Sequence, residues 1–313
     1  MAKFVIQQKS PQELTQENVS TLTEWTTDEG WGPHQRPFDI SHMYSGPPYM
    51  DAKAFLGFLD YKMIGHAAFF TSGKGGISTD VMEYITMFIV EKPFRGKGYG
   101  LKIWNTMWET MDKNANICLD AAPNMVTKYE SMGLKPEWDN REYIIPLSAI
   151  AEKYKMTENI RDVSTKLLSE VEFEKFAEYD AKIYGLCQLV FIKRWSTLPN
   201  SFTWVAVNGN GDVVGYITIR ESINKQDTTV GPLYADNLEI AKKLIYTASQ
   251  TMSSQTSSVK NLRMFIPTGG SNAIQMIESD FGIKCGPNFV RMYSKKHKVD
   301  LNKVIAINSP GYG

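Results

Sequence analysis

The sequence predicts an α/β protein made of two halves with the same order of elements. Three observations carry this. Each half reads as helix, hairpin, glycine-containing turn, helix, strand, helix ending on glycine, and strand. An apolar strand, Glu83–Glu91, runs straight into a glycine-rich segment and an amphipathic helix. The chain has 313 residues, 42% of them hydrophobic, enough for two cores when domains usually run about 100–200 residues.

The elements follow in order. Phe4–Ile6 is apolar and β-prone, and Glu13–Trp25 carries Leu14, Val19, Leu22 and Trp25 at helical spacing. Residues 30–48 are loop-like, rich in glycine, proline and aromatics. Ala54–Asp60 and Lys62–Thr71 are two strands joined by a tight turn at Tyr61. Leu101–Met111 places Ile103, Trp104, Met107 and Met111 on one helical face, and Asn116–Ala121 is a strand. Met125–Met132 is a helix stopped by Gly133, and Glu142–Leu147 closes the first unit. The polar stretch 149–161 reads as a linker, dividing the chain into 1–148 and 162–313. In the second unit Val171–Ile183 is helical, and Phe202–Val207 and Val213–Arg220 flank the turn Asn208–Asp212 as a hairpin. Asn237–Met252 (helix), Asn261–Pro267 (strand), Asn272–Ser279 (helix), Phe289–Tyr293 and Lys303–Ile307 (strands) complete it.

Lys+Arg and Asp+Glu are equal at 34 each, which argues against a nucleic-acid or membrane-surface partner. The three cysteines and four histidines are scattered without metal-ligand spacing, so no metal is expected. His66 sits in an apolar strand and reads as a satisfied core histidine. No apolar run matches a signal peptide or a membrane span, and the expected location is cytoplasmic.

The segment Arg95-Gly96-Lys97-Gly98-Tyr99-Gly100 carries the chemistry. The first amides of a helix lack intrahelical partners and sit at the positive end of its dipole, so a strand–glycine loop–helix unit is an anion site. Glycine lets backbone approach phosphate closely. A Walker A loop is excluded because its Gly-Lys-Ser/Thr ending is missing, and a dinucleotide-binding fingerprint because the third glycine comes one residue early.

What remains, Arg-x-x-Gly-x-Gly at Arg95, Gly98 and Gly100, resembles the signature loop of the GNAT acyltransferase superfamily. Tyr129-Glu130-Ser131-Met132-Gly133-Leu134 is similar to the Tyr-Glu-Lys-Leu-Gly-Phe segment common in that family. The resemblance implies a GNAT fold, a mixed central sheet flanked by helices, and an N-acetyltransferase using acetyl-CoA. It places the pyrophosphate on Arg95–Gly100 and Leu101, and the pantetheine arm along Phe88, Ile89 and Val90. It implies Tyr129 as the acid that protonates the departing thiolate, the alternative being a core tyrosine. Glu83 at the head of the strand is the candidate base, or else a solvated strand end. Trp31, His34 and Asp39 are the candidates for the acceptor pocket, or an ordered aromatic loop. Glu91 is expected to pair with Arg95 or Lys97, or to face water.

The second half lacks the loop. Its corresponding turn is read as Val230–Asp236, with one glycine, and Glu278 stands where Tyr129 stands in the first half. This is similar to two-domain GNAT proteins with a degenerate second copy, the alternative being an unrelated α+β domain. The half is expected to bind no coenzyme A and to serve as a partner or as a wall of the acceptor pocket. The expected acceptor is a small-molecule amine. A non-catalytic coenzyme-A-binding scaffold and a protein N-acetyltransferase are the alternatives.

Overall fold

The computed structural model describes residues 3–31, 51–73, 81–199, 201–222, 226–255 and 258–311. The first half runs β1 (Phe4–Lys9), α1 (Gln16–Asp28), β2 (Asp51–Leu59), β3 (Lys62–Ser72), β4 (Met82–Val90), α2 (Tyr99–Thr110), β5 (Asn116–Ala121), α3 (Val126–Glu130) and β6 (Lys135–Pro146). After α4 (Leu147–Tyr154) the second half runs β7 (Val163–Leu167), α5 (Phe173–Tyr184), α6 (Leu189–Ser196), β8 (Ser201–Asn208), β9 (Val213–Glu221), β10 (Asp227–Ala235), α7 (Leu238–Gln255), β11 (Asn261–Pro267), α8 (Ala273–Phe281), β12 (Asn288–Tyr293) and β13 (Val304–Ala306).

The thirteen strands among the described residues form one sheet in the order β1-β2-β3-β4-β5-β12-β6-β11-β10-β9-β8-β7, with β13 on β10. The halves exchange their closing strands. β12, from the second half, lies between β5 and β6 of the first. β6, in turn, pairs with β11 of the second half along Asn140–Pro146. Neither half completes its own sheet.

Helices cover both faces. Thr15 caps α1 in a reciprocal pair with Asn18, and Val19 and Leu22 turn into the core. α2 buries Ile103, Trp104 and Met107 on the opposite face, against Phe55, Phe69 and Ile117. α6 belongs to the second half by sequence but packs on the first as well, with Phe191 stacked on Phe70 at 5.6 Å between centroids.

Two expectations need correction. The stretch read as a linker begins inside α4, whose Leu147, Ile150 and Tyr154 are buried in the core of the second half. Residues 230–235, read as a turn, are the interior of β10. Gly231 and Pro232 fall where the β9–β10 register shifts, the kind of bulge at which a sheet accepts proline.

Candidate active site

β4 and β5 run parallel and pair only over Met82–Tyr84 and Asn116–Cys118. Beyond that point they part. On the other side of β4 the register with β3 slips between His66 and Ala68, which accommodates an extra residue in β4. Met87 takes a left-handed φ of 48° within this bulge. Its carbonyl accepts a 2.9 Å hydrogen bond from His66 Nδ1. Burial pulls the His66 pKa down to about 4, so the ring is neutral and its single proton on this side lies on Nδ1. His66 is thus a satisfied core histidine, and it also fixes the bulge that shapes the cleft.

The parted strands open a cavity of about 800 Å³. One end is the glycine loop. Gly96 and Gly98 have φ of 73° and 82°, and a Cβ on either would project into open space. Gly98 is the N-cap of α2, and no side chain caps that helix. The amides of its first turn therefore have no intrahelical partner. Gly96, Gly98, Gly100 and Leu101 line the cavity beside Phe88, Ile89 and Val90, an arrangement that fits a pyrophosphate followed by an extended arm.

Arg95 lines the cavity too, but its guanidinium is engaged. Nε donates to the Val90 carbonyl at 2.7 Å and Nη2 to Glu29 Oε1 at 2.8 Å. Arg95 staples the loop to β4 and α1, and its hydrogen bond holds the Glu29 carboxyl below its ordinary range. Lys97 lies over the Phe94 ring at 5.5 Å and the Tyr99 ring is tilted against Phe4 at 4.7 Å; neither lines the cavity. Glu91 pairs with Lys62 at 2.7 Å, not with Arg95 or Lys97. Lys128, in the last turn of α3, supplies a cation to the lining that sequence reasoning missed.

Tyr129 lines the cavity, buried, with its ring 5.2 Å from Trp104. Burial pushes its phenol well above the ordinary value, so at neutral pH it is a proton donor and not a base. Trp31 also lines the cavity, while His34 and Asp39 lie outside the described residues.

Glu83 is placed elsewhere. It is 4% exposed, is not a lining residue, and its Oε2 accepts the Asp112 amide at 3.0 Å. Alternation along β4 gives the opposite face to Tyr84, whose hydroxyl lies 2.7 Å from Asp120 Oδ2 at the base of the cleft. The cavity carboxylates are instead Glu29, Asp120 and Glu142, each held by an arginine: Arg95, Arg291 and Arg263.

The far end of the cavity is built by the second half. Phe265, Pro287, Asn288, Phe289, Ser309, Pro310 and Gly311 line it. No sequence signal marks them, because strand exchange and the C-terminal segment bring them there.

The corresponding place in the second half is filled. β10 pairs with β11 over Asp227–Val230 and then parts from it, as β4 parts from β5. β13 enters beside β10, with Ala306 opposite Leu233 and Val304 opposite Tyr234. Ile305 and Ala306 are completely buried. The α7 start has no glycine, and the Asn237 side chain accepts the Ile240 amide at 3.0 Å.

Two family models match the chain, both described as acetyltransferase (GNAT) domains, over residues 51–143 and 176–305. The chain belongs to the GNAT acyltransferases. It carries two GNAT domains, and members of this family generally use acetyl-CoA. The chain is 22% identical over 232 residues to the holothin acyltransferase of Pseudoalteromonas sp. (strain SANK 73390), a match covering 73% of this chain and 70% of that protein. An uncharacterised protein of Caenorhabditis elegans is 24% identical, with 71% and 72% covered. Among solved structures, a putative acetyltransferase from Pyrococcus horikoshii superposes with a TM-score of 0.72 at 16% identity, covering 99% of this chain and 96% of that one. A tandem GNAT protein from the clavulanic acid biosynthesis pathway gives 0.69 at 10% identity, covering 95% and 100%. These structural likenesses establish the fold, a mixed sheet flanked by helices. Among the described residues no cluster of His, Cys, Asp or Glu has the makings of a metal site, and no helix is long and apolar enough to cross a membrane.

Proposed function

We propose that this GNAT protein transfers an acetyl group from acetyl-CoA to the amine of a small molecule. The observation that carries the reading is one continuous cavity joining the α2 N-terminus, Tyr129 and the wall built by the second half. The coenzyme supplies an activated thioester. The uncapped amides of α2 hold its pyrophosphate, with Lys128 adding positive charge. The acceptor enters between Phe265, Phe289 and the C-terminal segment, and its amine attacks the thioester carbon directly. The new C–N bond forms as the C–S bond breaks, and Tyr129 gives its proton to the departing sulfur. With every cavity carboxylate among the described residues held by an arginine, the acceptor reacts as its free amine, and the proton it loses returns through water to Tyr129. A pocket walled by the second half favours a compact acceptor over a protein chain. The role of a second domain without its own cofactor site is then to build that wall and to lend β12 to the first.

Tyr129→Phe tests the reading. Turnover in a thiol-release assay should fall by about 10²–10⁴, the usual worth of a positioned proton donor, with coenzyme A affinity nearly kept. Unchanged turnover, with chemistry rate-limiting, reduces Tyr129 to a packing residue. Coenzyme binding without release over a broad amine panel favours a non-catalytic scaffold.

A further inference from the structure

The C-terminal segment follows an unusual course after β13. The Ile307 amide donates to the Phe265 carbonyl at 3.0 Å. The chain then crosses β10 at Gly231, where a Cβ would stand 2.2 Å from the Ile307 carbonyl oxygen and 2.3 Å from that of Asn308. Any side chain at 231 would lift the segment off the sheet. Trp195 Nε1 donates to the Gly231 carbonyl at 2.7 Å and so ties β10 to α6. Asn308 and Ser309 are each 2% exposed.

The segment ends its described course on the first half. The Tyr84 hydroxyl lies 2.8 Å from the Pro310 carbonyl oxygen, and Thr86 Oγ1 donates to the Gly311 carbonyl. Tyr84 is the last residue of β4 that pairs with β5, so this strap sits where the strands begin to part. Below it the cleft is closed by polar groups. Asp120 takes two hydrogen bonds from Arg291, at 2.9 and 2.8 Å, and one from Asn140 at 2.7 Å. Thr86 lies four residues before Val90, about 13 Å of extended strand from the glycine-loop end. A coenzyme lying with its pyrophosphate on the loop and its arm along Val90, Ile89 and Phe88 directs its acyl group toward the strap.

We infer that the strap Ser309–Gly311 is the element that sets how long an acyl group the site accepts. The inference rests on the acyl-CoA reading above. Among the described residues, backbone carbonyls and a charged, hydrogen-bonded floor stand at this end of the cleft, so a chain longer than a short acyl group meets polar groups along its path. Burying alkyl chain in such a channel would raise affinity about fourfold for each methylene. The strap withholds that gain.

The test is calorimetry of the full chain with free coenzyme A and with its acetyl, butyryl, hexanoyl and decanoyl thioesters; no acceptor is required. The wild type should bind acetyl-CoA at least as tightly as the longer thioesters. Thr86→Val, which removes the donor to Gly311, and a chain ending at Asn308 should both favour hexanoyl over acetyl by about tenfold, with free coenzyme A bound within about threefold of the wild type. Steady tightening with chain length in the wild type, or an unchanged preference in both variants, overturns the inference. A wild type that binds neither free coenzyme A nor any thioester sinks the acyl-CoA reading itself, and the inference with it.

Discussion

Arg291→Met should cost about 3–5 kcal/mol of folding stability, the range for removing one partner of a buried ion pair. Arg291 and Asp120 have side chains 1% and 0% exposed and meet in a bidentate pair. The bond spans the exchange, because Arg291 rides on β12 and Asp120 on β5. Without the guanidinium, a fully buried carboxylate keeps only the Tyr84 hydroxyl and the Asn140 amide. Total stabilities of about 5–15 kcal/mol make that loss a large fraction of the whole. The double variant Arg291→Met/Asp120→Leu should recover most of it, since an apolar pair of similar volume leaves no stranded charge. Urea unfolding of the three proteins decides. A single variant within about 1 kcal/mol of the wild type would show that the pair does not lock the exchanged strands.

Gly98→Trp should weaken coenzyme A binding by at least about 100-fold, close to 3 kcal/mol. Gly98 has a φ of 82° and a Cβ direction that meets nothing, at a point where the residue lines the cavity. An indole there projects into the space assigned to the pyrophosphate, and a side chain in the left-handed region adds about 1–2 kcal/mol of backbone strain. The strain falls on an exposed loop, so the fold should persist, as the far-ultraviolet circular dichroism should show. Unchanged affinity in the folded variant would remove the loop from the binding site.

Much of this was legible in the sequence for local reasons. The glycine loop is punctuated by its own residues, and α2 and β5 carry strong periodic patterns. Tyr129 follows at the spacing that Gly133 sets, which is why the loop, the arm strand and the candidate acid could be read as one unit. Glu83 failed through alternation: a strand buried on both faces, as Met82–Ile85 is, has no polar face to set its frame. β6 was read only from Glu142, because Lys135–Asn140 is polar and gains its partner, β12, from more than 140 residues away. β10 was hidden by Gly231 and Pro232, which mark turns unless a neighbouring segment needs the close approach. The strap has no pattern of its own at all. What the sequence could not display is tertiary in origin: the strand exchange, the filled cleft of the second half, and the wall that half contributes.

The filled cleft bears most directly on the central claim, that one coenzyme site exists per chain and lies in the first half. The measurement is the stoichiometry of coenzyme A on the full chain, by calorimetry. The intact protein is required because each half borrows its closing strand from the other. One equivalent per chain is expected, abolished by Gly98→Trp. Two equivalents, or one equivalent that persists in the folded Gly98→Trp variant, would contradict it.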